Sequence, residues 1–195
     1  MSQPVLLFDV MGTLVHDPFY AEIPAFFGMS LEQLIAEKHP TTWGDFERGE
    51  FDEDVLAERF FLDGRAWDMP GLKRVMQSAF VWLEGMEELT FELKGRGFEL
   101  HAFSNYPVWY QLVDAKLQLS RVLEWSCVSC DLGVRKPAAA AYERALARVG
   151  HAAVEVLFVD DREVNCAAAR ECGIASVHFE SAEELRAEFA RRGLL

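Results

Sequence analysis

Four short runs in this 195-residue chain bring together side chains able to do chemistry. The decapeptide Val5-Leu-Leu-Phe-Asp-Val-Met-Gly-Thr-Leu14 puts a carboxylate at the end of an apolar run, with a Gly-Thr turn behind it. Asp9 in that place can act as a nucleophile, a metal ligand or both; the plainer reading is an Asp that caps a turn. The turn amides, at Gly12 and Thr13, can cradle an anion, because successive backbone N–H groups form a concave nest. Phe158-Val-Asp-Asp-Arg-Glu-Val-Asn165 sets two adjacent aspartates, Asp160 and Asp161, at the tip of another apolar run. Side by side they repel unless a proton or a cation intervenes. Hard oxygen ligands crowded in this way suit Mg2+. Ser104-Asn105 and Arg135-Lys136-Pro137 are weaker signals, common at turns and helix starts. Together they offer a hydroxyl donor and a compact cation to a phosphoryl group.

Each run stands where a strand would end. Val5–Phe8, Phe98–Phe103, Val154–Val159 and Ile174–Phe179 are apolar runs of the kind that form strands buried on both faces, and Glu124–Val128 is a weaker fifth. Helical spacing lies between them, over Met86–Leu93, Ala138–Val149 and Glu163–Cys172, the last closing at Gly173. Ser181-Ala-Glu-Glu184 is a capping box that opens a final helix. Strand and helix in alternation predict an α/β fold, a parallel sheet with helices on both faces. Ligands of such sheets bind beyond the carboxyl ends of the strands, where all four runs fall. The stretch from Val15 to Glu84 breaks the alternation. It shows a capping box, Ser30-Leu-Glu-Gln33, helical patterns over Asp52–Leu62 and Gly71–Ala79, and many aromatics. Those aromatics predict a small helical core, with some left to line a pocket.

Composition sets the outer limits. Lys and Arg number 19 against 32 Asp and Glu, a net charge of −13, while 51% of residues are hydrophobic. These values fit one globular core with a small insertion and argue against disorder. They exclude nucleic acid and an anionic membrane surface as main partners, since both call for a basic face. Met1-Ser-Gln-Pro4 lacks the basic start of a secretory signal, and no apolar run reaches the roughly 20 residues of a membrane span. A cytoplasmic protein, monomer or homodimer, with reduced cysteines is expected. Cys127-Val-Ser-Cys130 is a redox pair, half a zinc site or, in the bland reading, two small apolar residues. The five histidines, His16, His39, His101, His151 and His178, form no ligand pair.

The four runs, in this order, resemble the motifs of the haloacid dehalogenase-like (HAD) hydrolase superfamily, and the resemblance spans essentially the whole chain. It implies a Rossmann-like core over residues 1–14 and 85–195 and a small helical cap over 15–84. It also implies covalent catalysis through Asp9 on a small phosphorylated metabolite. Mg2+ would be held by Asp9, the Met11 carbonyl and Asp161, with Asp160 nearby. Ser104 and Lys136 would hold the phosphate, helped by Gly12, Thr13 and Asn105.

One position departs from the pattern. Phosphatases of the superfamily carry a second Asp two residues after the nucleophile, which protonates the leaving group and then activates water. Here that residue is Met11, whose thioether transfers no proton. General acid–base help is typically worth about 10²–10⁴-fold. Three readings follow. The protein is a phosphatase with a substituted donor, such as His16 or a residue of the cap. Or it acts on another bond, as dehalogenase or phosphonatase relatives do. Asp160-Asp161 speaks against the first of these, and Lys38 is the one counterpart of the lysine the second would need. Or it binds a phosphorylated ligand or a protein with little turnover. The intact acids and Lys136 favour the phosphatase.

Overall fold

The computed structural model describes residues 3–195, so Met1 and Ser2, the start of the expected core segment and of the terminus read for a secretory signal, lie outside the described residues. In chain order the elements are β1 (Val5–Phe8), α1 (Glu22–Phe26), α2 (Leu31–Glu37), α3 (Thr42–Glu47), α4 (Glu53–Arg59), α5 (Met69–Ala79), α6 (Met86–Gly95), β2 (Leu100–Ser104), α7 (Tyr110–Leu117), β3 (Glu124–Val128), α8 (Ser129–Leu132), α9 (Ala139–Val149), β4 (Val156–Asp160), α10 (Glu163–Glu171), β5 (Ala175–His178) and α11 (Ala182–Arg191). The five strands form one parallel sheet in the order β3-β2-β1-β4-β5, the Rossmann-like α/β layout that the resemblance implies.

β1 is central because all four of its residues are apolar and can be buried on both faces. Side chains alternate along a strand. Leu6 and Phe8 therefore join a core with Leu93, Leu100 and Phe189 on one face, while Val5 and Leu7 join Tyr142, Phe158 and Ala169 on the other. From β1 the chain runs outward one way to β2 and β3, then returns to place β4 on the other side. That reversal opens a crevice at the carboxyl ends of β1 and β4. β5 departs from expectation: Ala175–His178 is part-exposed along its length, because it is an edge strand with a neighbour on one side only.

Between β1 and α6 lie only short helices. Ser30 forms both halves of its capping box, its hydroxyl accepting from Gln33 N and its own amide donating to Gln33 Oε1. At α11 only the Ser181 half is made. α1, α3, α7 and α8 have no counterpart in the sequence reading; none has a side-chain N-cap bond, and each is eight residues or fewer. Phe27 stacks on Phe60 at 5.6 Å and meets Phe61 and Trp67 edge-on, which gives the helical segment its own aromatic core. Among the described residues no helix is long and apolar enough to cross a membrane.

Candidate active site

The crevice collects the residues singled out above. Asp9 follows β1, and its amide donates to Val159 O at 2.8 Å, which ties it to the tip of β4. Lys136 reaches the same place from the loop before α9. Its buried Nζ donates to Asp9 Oδ1 at 2.9 Å, to Asp160 Oδ2 at 2.6 Å and to Phe103 O at 2.6 Å. All three ammonium protons are spent, so the cation is fixed in position rather than free on a flexible stem. Burial works to lower the Lys136 pKa, but Asp160 and Asp9 outweigh it and hold the group charged. Burial pushes the Asp9 carboxyl the other way, up to about 8, against the pull of Lys136.

Asp160, expected near the metal, lies in the acidic cluster and also orients Lys136. Its oxygens take Lys136 Nζ, Arg162 N at 2.8 Å, and Asn165 Nδ2 at 2.9 and 3.0 Å. Asp161 is the opposite case. Its Oδ1 is buried without a hydrogen-bond partner, and burial, then the neighbouring Asp160, raises its pKa. Asp9, Asp160 and Asp161 each place an oxygen within 4.8 Å of the others. An orphaned carboxylate oxygen beside two further acids is a donor set that fits a hard divalent cation.

Gly12, Thr13 and Asn105, expected to hold phosphate, make contacts that support the site. The Gly12 and Thr13 amides are spent inside the turn, on Val15 O and Val10 O. Gly12 has φ +84°, and a Cβ there would lie 2.7 Å from Asp161 Oδ2, so only glycine lets Asp161 sit this close. Thr13 Oγ1 accepts the Asp161 amide at 3.1 Å. Asn105 clamps the Lys136 backbone, accepting from its amide at 2.8 Å and donating to its carbonyl at 2.9 Å. Among the described residues the Val10 and Met11 amides donate to no protein acceptor. Ser104 ends β2 fully buried, and its hydroxyl has no partner. An unpaired buried hydroxyl is costly, and a phosphoryl oxygen would satisfy it.

Above these groups lies a cavity of about 200 Å3. Asp9, Met11, Lys136 and Asp161 form its floor, and Phe19, Tyr20, Ile23, Trp43 and Met76 bring apolar surface from the helical segment. Some of the aromatics thus line a pocket, as expected, while Phe27, Phe60, Phe61 and Trp67 form a core. His16 pairs with Glu22 at 3.0 Å and is not part of the wall. Lys38 bridges to Phe61 at the end of α2 and is not part of it either. Cys127 and Cys130 are free thiols that burial pushes up to about 12, too high for a redox pair.

Sequence reading missed four polar residues of the wall. Asp17, Glu47, Tyr106 and Arg135 all face the cavity. Arg135 Nη2 pairs with Glu47 Oε2 at 2.9 Å, and Trp43 Nε1 donates to Glu47 Oε1 at 2.7 Å. Ser129 Oγ bonds the Glu47 carbonyl at 2.5 Å, so the pair joins the helical segment to the sheet. Arg135 stands in one of the four runs, where Lys136 drew the reading, and no motif marks the other three; an acid inside an amphipathic helix reads as a solvated face.

Burial pushes Glu47 up from 4.5 to about 7, against the attraction of Arg135. Its folded pKa thus exceeds its unfolded one, so stability falls as pH rises from about 4.5 to 7. At about 1.36 kcal/mol per pKa unit, that loss is roughly 3 kcal/mol. Glu47→Gln should remove this part of the slope in urea unfolding measured at pH 5 and pH 7.5. An identical slope in the variant would show that Glu47 is not held in the protonated form.

The family model for haloacid dehalogenase-like hydrolases matches residues 4–173. A chloroplast flavin mononucleotide hydrolase 1 of Arabidopsis thaliana is 45% identical over 191 residues, 98% of this chain and 78% of that protein. The sesquiterpene phosphatase astK of Aspergillus oryzae is 28% identical, over 77% of this chain and 79% of its own. Among solved structures, the HAD family enzyme BT-2542 of Bacteroides thetaiotaomicron, in complex with magnesium and inorganic phosphate, superposes with a TM-score of 0.68. It is 18% identical, over 92% of this chain and 96% of that one. With motif order, fold and family model in agreement, the chain belongs to the haloacid dehalogenase-like hydrolases.

Proposed function

We propose that this hydrolase cleaves small phosphate monoesters, flavin mononucleotide among them, by covalent catalysis through Asp9 with Mg2+ as cofactor. The observation that carries the reading is the fixed Lys136 between Asp9 and Asp160, with the unpaired Asp161 oxygen on the same cavity floor. A phosphatase needs this set: a carboxylate nucleophile, a buried cation for the phosphoryl charge and an acidic place for a metal. The 45% identical flavin mononucleotide hydrolase supports the substrate, and the apolar cavity wall suits a flat ring near its mouth.

In this reading Asp9 attacks phosphorus, and Lys136 fixes the nucleophile while its charge offsets that of the phosphoryl group. The Ser104 hydroxyl and the Val10 and Met11 amides bind the remaining oxygens. Asp9, the Met11 carbonyl and Asp161 would hold Mg2+, which when bound offsets the phosphoryl charge and returns the raised Asp9 carboxyl to its ionised form. Residues 15–84 act as a cap that covers the site and selects substrates, supported by Phe19, Trp43 and Met76 in the cavity wall. The free cysteines suit a reducing compartment, in the first instance the cytoplasm.

The test is phosphate release from flavin mononucleotide and p-nitrophenyl phosphate, with Mg2+ and with EDTA. Release that requires Mg2+ is expected from both esters. No release from any phosphate ester, with chloride freed from 2-chloropropionate in EDTA, would overturn the reading in favour of a dehalogenase.

A further inference from the structure

An alcohol leaves phosphorus poorly unless its oxygen is protonated as the P–O bond breaks. In this cavity the residue two positions after Asp9 is Met11, which holds no transferable proton. The wall offers a short list of other acids. Asp9 is the nucleophile and Asp161 faces the metal place. Glu47 accepts from Trp43 through Oε1, and its Oε2 makes no hydrogen bond but faces the Arg135 guanidinium at 2.9 Å, a fixed cation that draws the carboxyl toward its ionised form. Tyr106 has an unpartnered buried hydroxyl, but burial holds its pKa well above the ordinary phenol value, so it gives up a proton too reluctantly. His16, the neighbour of Asp17 in sequence, is turned to Glu22.

Asp17 remains. It stands two residues after Val15, which pairs with both Met11 and Trp82, and Asp17 and Met11 line the same cavity. Its Oδ1 accepts the Phe19 amide at 2.9 Å, which fixes the carboxyl, while among the described residues its Oδ2 takes no hydrogen bond. We infer that Asp17 is the acid–base residue of this enzyme and stands in for the carboxylate missing at Met11. The assignment rests on the phosphatase reading above. Burial raises the Asp17 pKa, opposed by the Phe19 amide and His16 and reinforced by Asp161 and Glu22. A raised carboxyl keeps more of the protonated form that donation needs.

The chemistry balances in two steps. As Asp9 forms its bond to phosphorus, the ester P–O bond breaks and the Asp17 proton passes to the departing oxygen, releasing the alcohol. The Asp17 carboxylate then takes a proton from water as that water attacks the aspartyl phosphate. Inorganic phosphate leaves, Asp9 is regenerated and Asp17 is again protonated.

A role in protonating the leaving group depends on how good that group is, and a packing role does not. The test compares kcat/KM for an alkyl phosphate (flavin mononucleotide or glycerol 2-phosphate) and for p-nitrophenyl phosphate, whose phenolate departs without help. Asp17→Asn keeps the Oδ1 acceptor for Phe19. It should lower kcat/KM for the alkyl ester by about 10²–10⁴-fold and for the aryl ester far less, so the ratio of the two falls at least about tenfold. Adding Met11→Asp to Asp17→Asn should restore alkyl turnover. Equal losses on both esters would overturn the inference, as would the leaving-group pattern appearing in Glu47→Gln instead. Wild-type protein inactive on every ester would overturn the phosphatase reading itself, and this inference with it.

Discussion

Lys136→Met should unfold about 3–5 kcal/mol more readily than the wild type at pH 7, with a melting temperature lower by on the order of 10 °C. The volume of the side chain is nearly kept, so the loss is electrostatic. Lys136 Nζ lies 2.6 Å from Asp160 and 2.9 Å from Asp9, and both acids are buried. Without the ammonium, the Asp160 carboxylate loses its buried counter-charge, and breaking a buried pair costs far more than its formation returns. The Phe103 carbonyl loses its partner too. Urea denaturation at pH 7 measures the deficit, and an unchanged midpoint would refute the account.

Asp9→Asn should lower phosphate release by roughly 10⁴-fold or more, as loss of a nucleophile does, and yet make the protein more stable. Burial raises the folded Asp9 pKa from 3.8 to about 8. A carboxyl whose folded pKa exceeds its unfolded one favours folding less as pH climbs between those two values. Asn has no such penalty. The variant should therefore melt above the wild type at pH 8 and level with it near pH 3.5. Mg2+ should narrow the gap at pH 8, because a ligand bound only by the native state stabilises it by mass action. Thermal melts of both proteins across pH, with and without Mg2+, check this. A variant that melts below the wild type at pH 8 would show that Asp9 is held ionised by Lys136 alone.

The sheet and the acidic floor were legible in the sequence for physical reasons. Val5–Phe8 has no polar residue to place against water, so it must be central, and Asp9 must then stand at its tip. Asp160 and Asp161 follow from the same logic at β4. Their roles were less legible. Asp160 is set apart from Asp161 by Arg162 N and Asn165 Nδ2, contacts made by the first turn of α10 that spacing alone does not reveal. Gly12 reads as part of an anion nest until its close approach to Asp161, far away along the chain, is seen. Asp17 was hidden because His-Asp-Pro reads as an ordinary turn. The pairing of Val15, two residues before it, with Met11 and Trp82 is visible in the fold alone. Short helices such as α1 and α3 show no full amphipathic period, so they too escaped.

The position of β1 in the sheet has a consequence for how the chain matures. β1 comes first in sequence, yet one of its two neighbours is β4, with Val5 opposite Val156. Contacts of such long range close late, since a large loop entropy precedes any gain from pairing. As the chain leaves the ribosome, β1 and β2 can pair early, but the far edge of β1 stays bare until β4 follows. Lys136 and Asp160 arrive in that same final third. The nucleophile is therefore sealed from water only when the last strands dock, so folding and activation coincide. A chain cut short before β4 would carry Asp9 beside an open strand edge, the kind of surface that recruits other chains into aggregates.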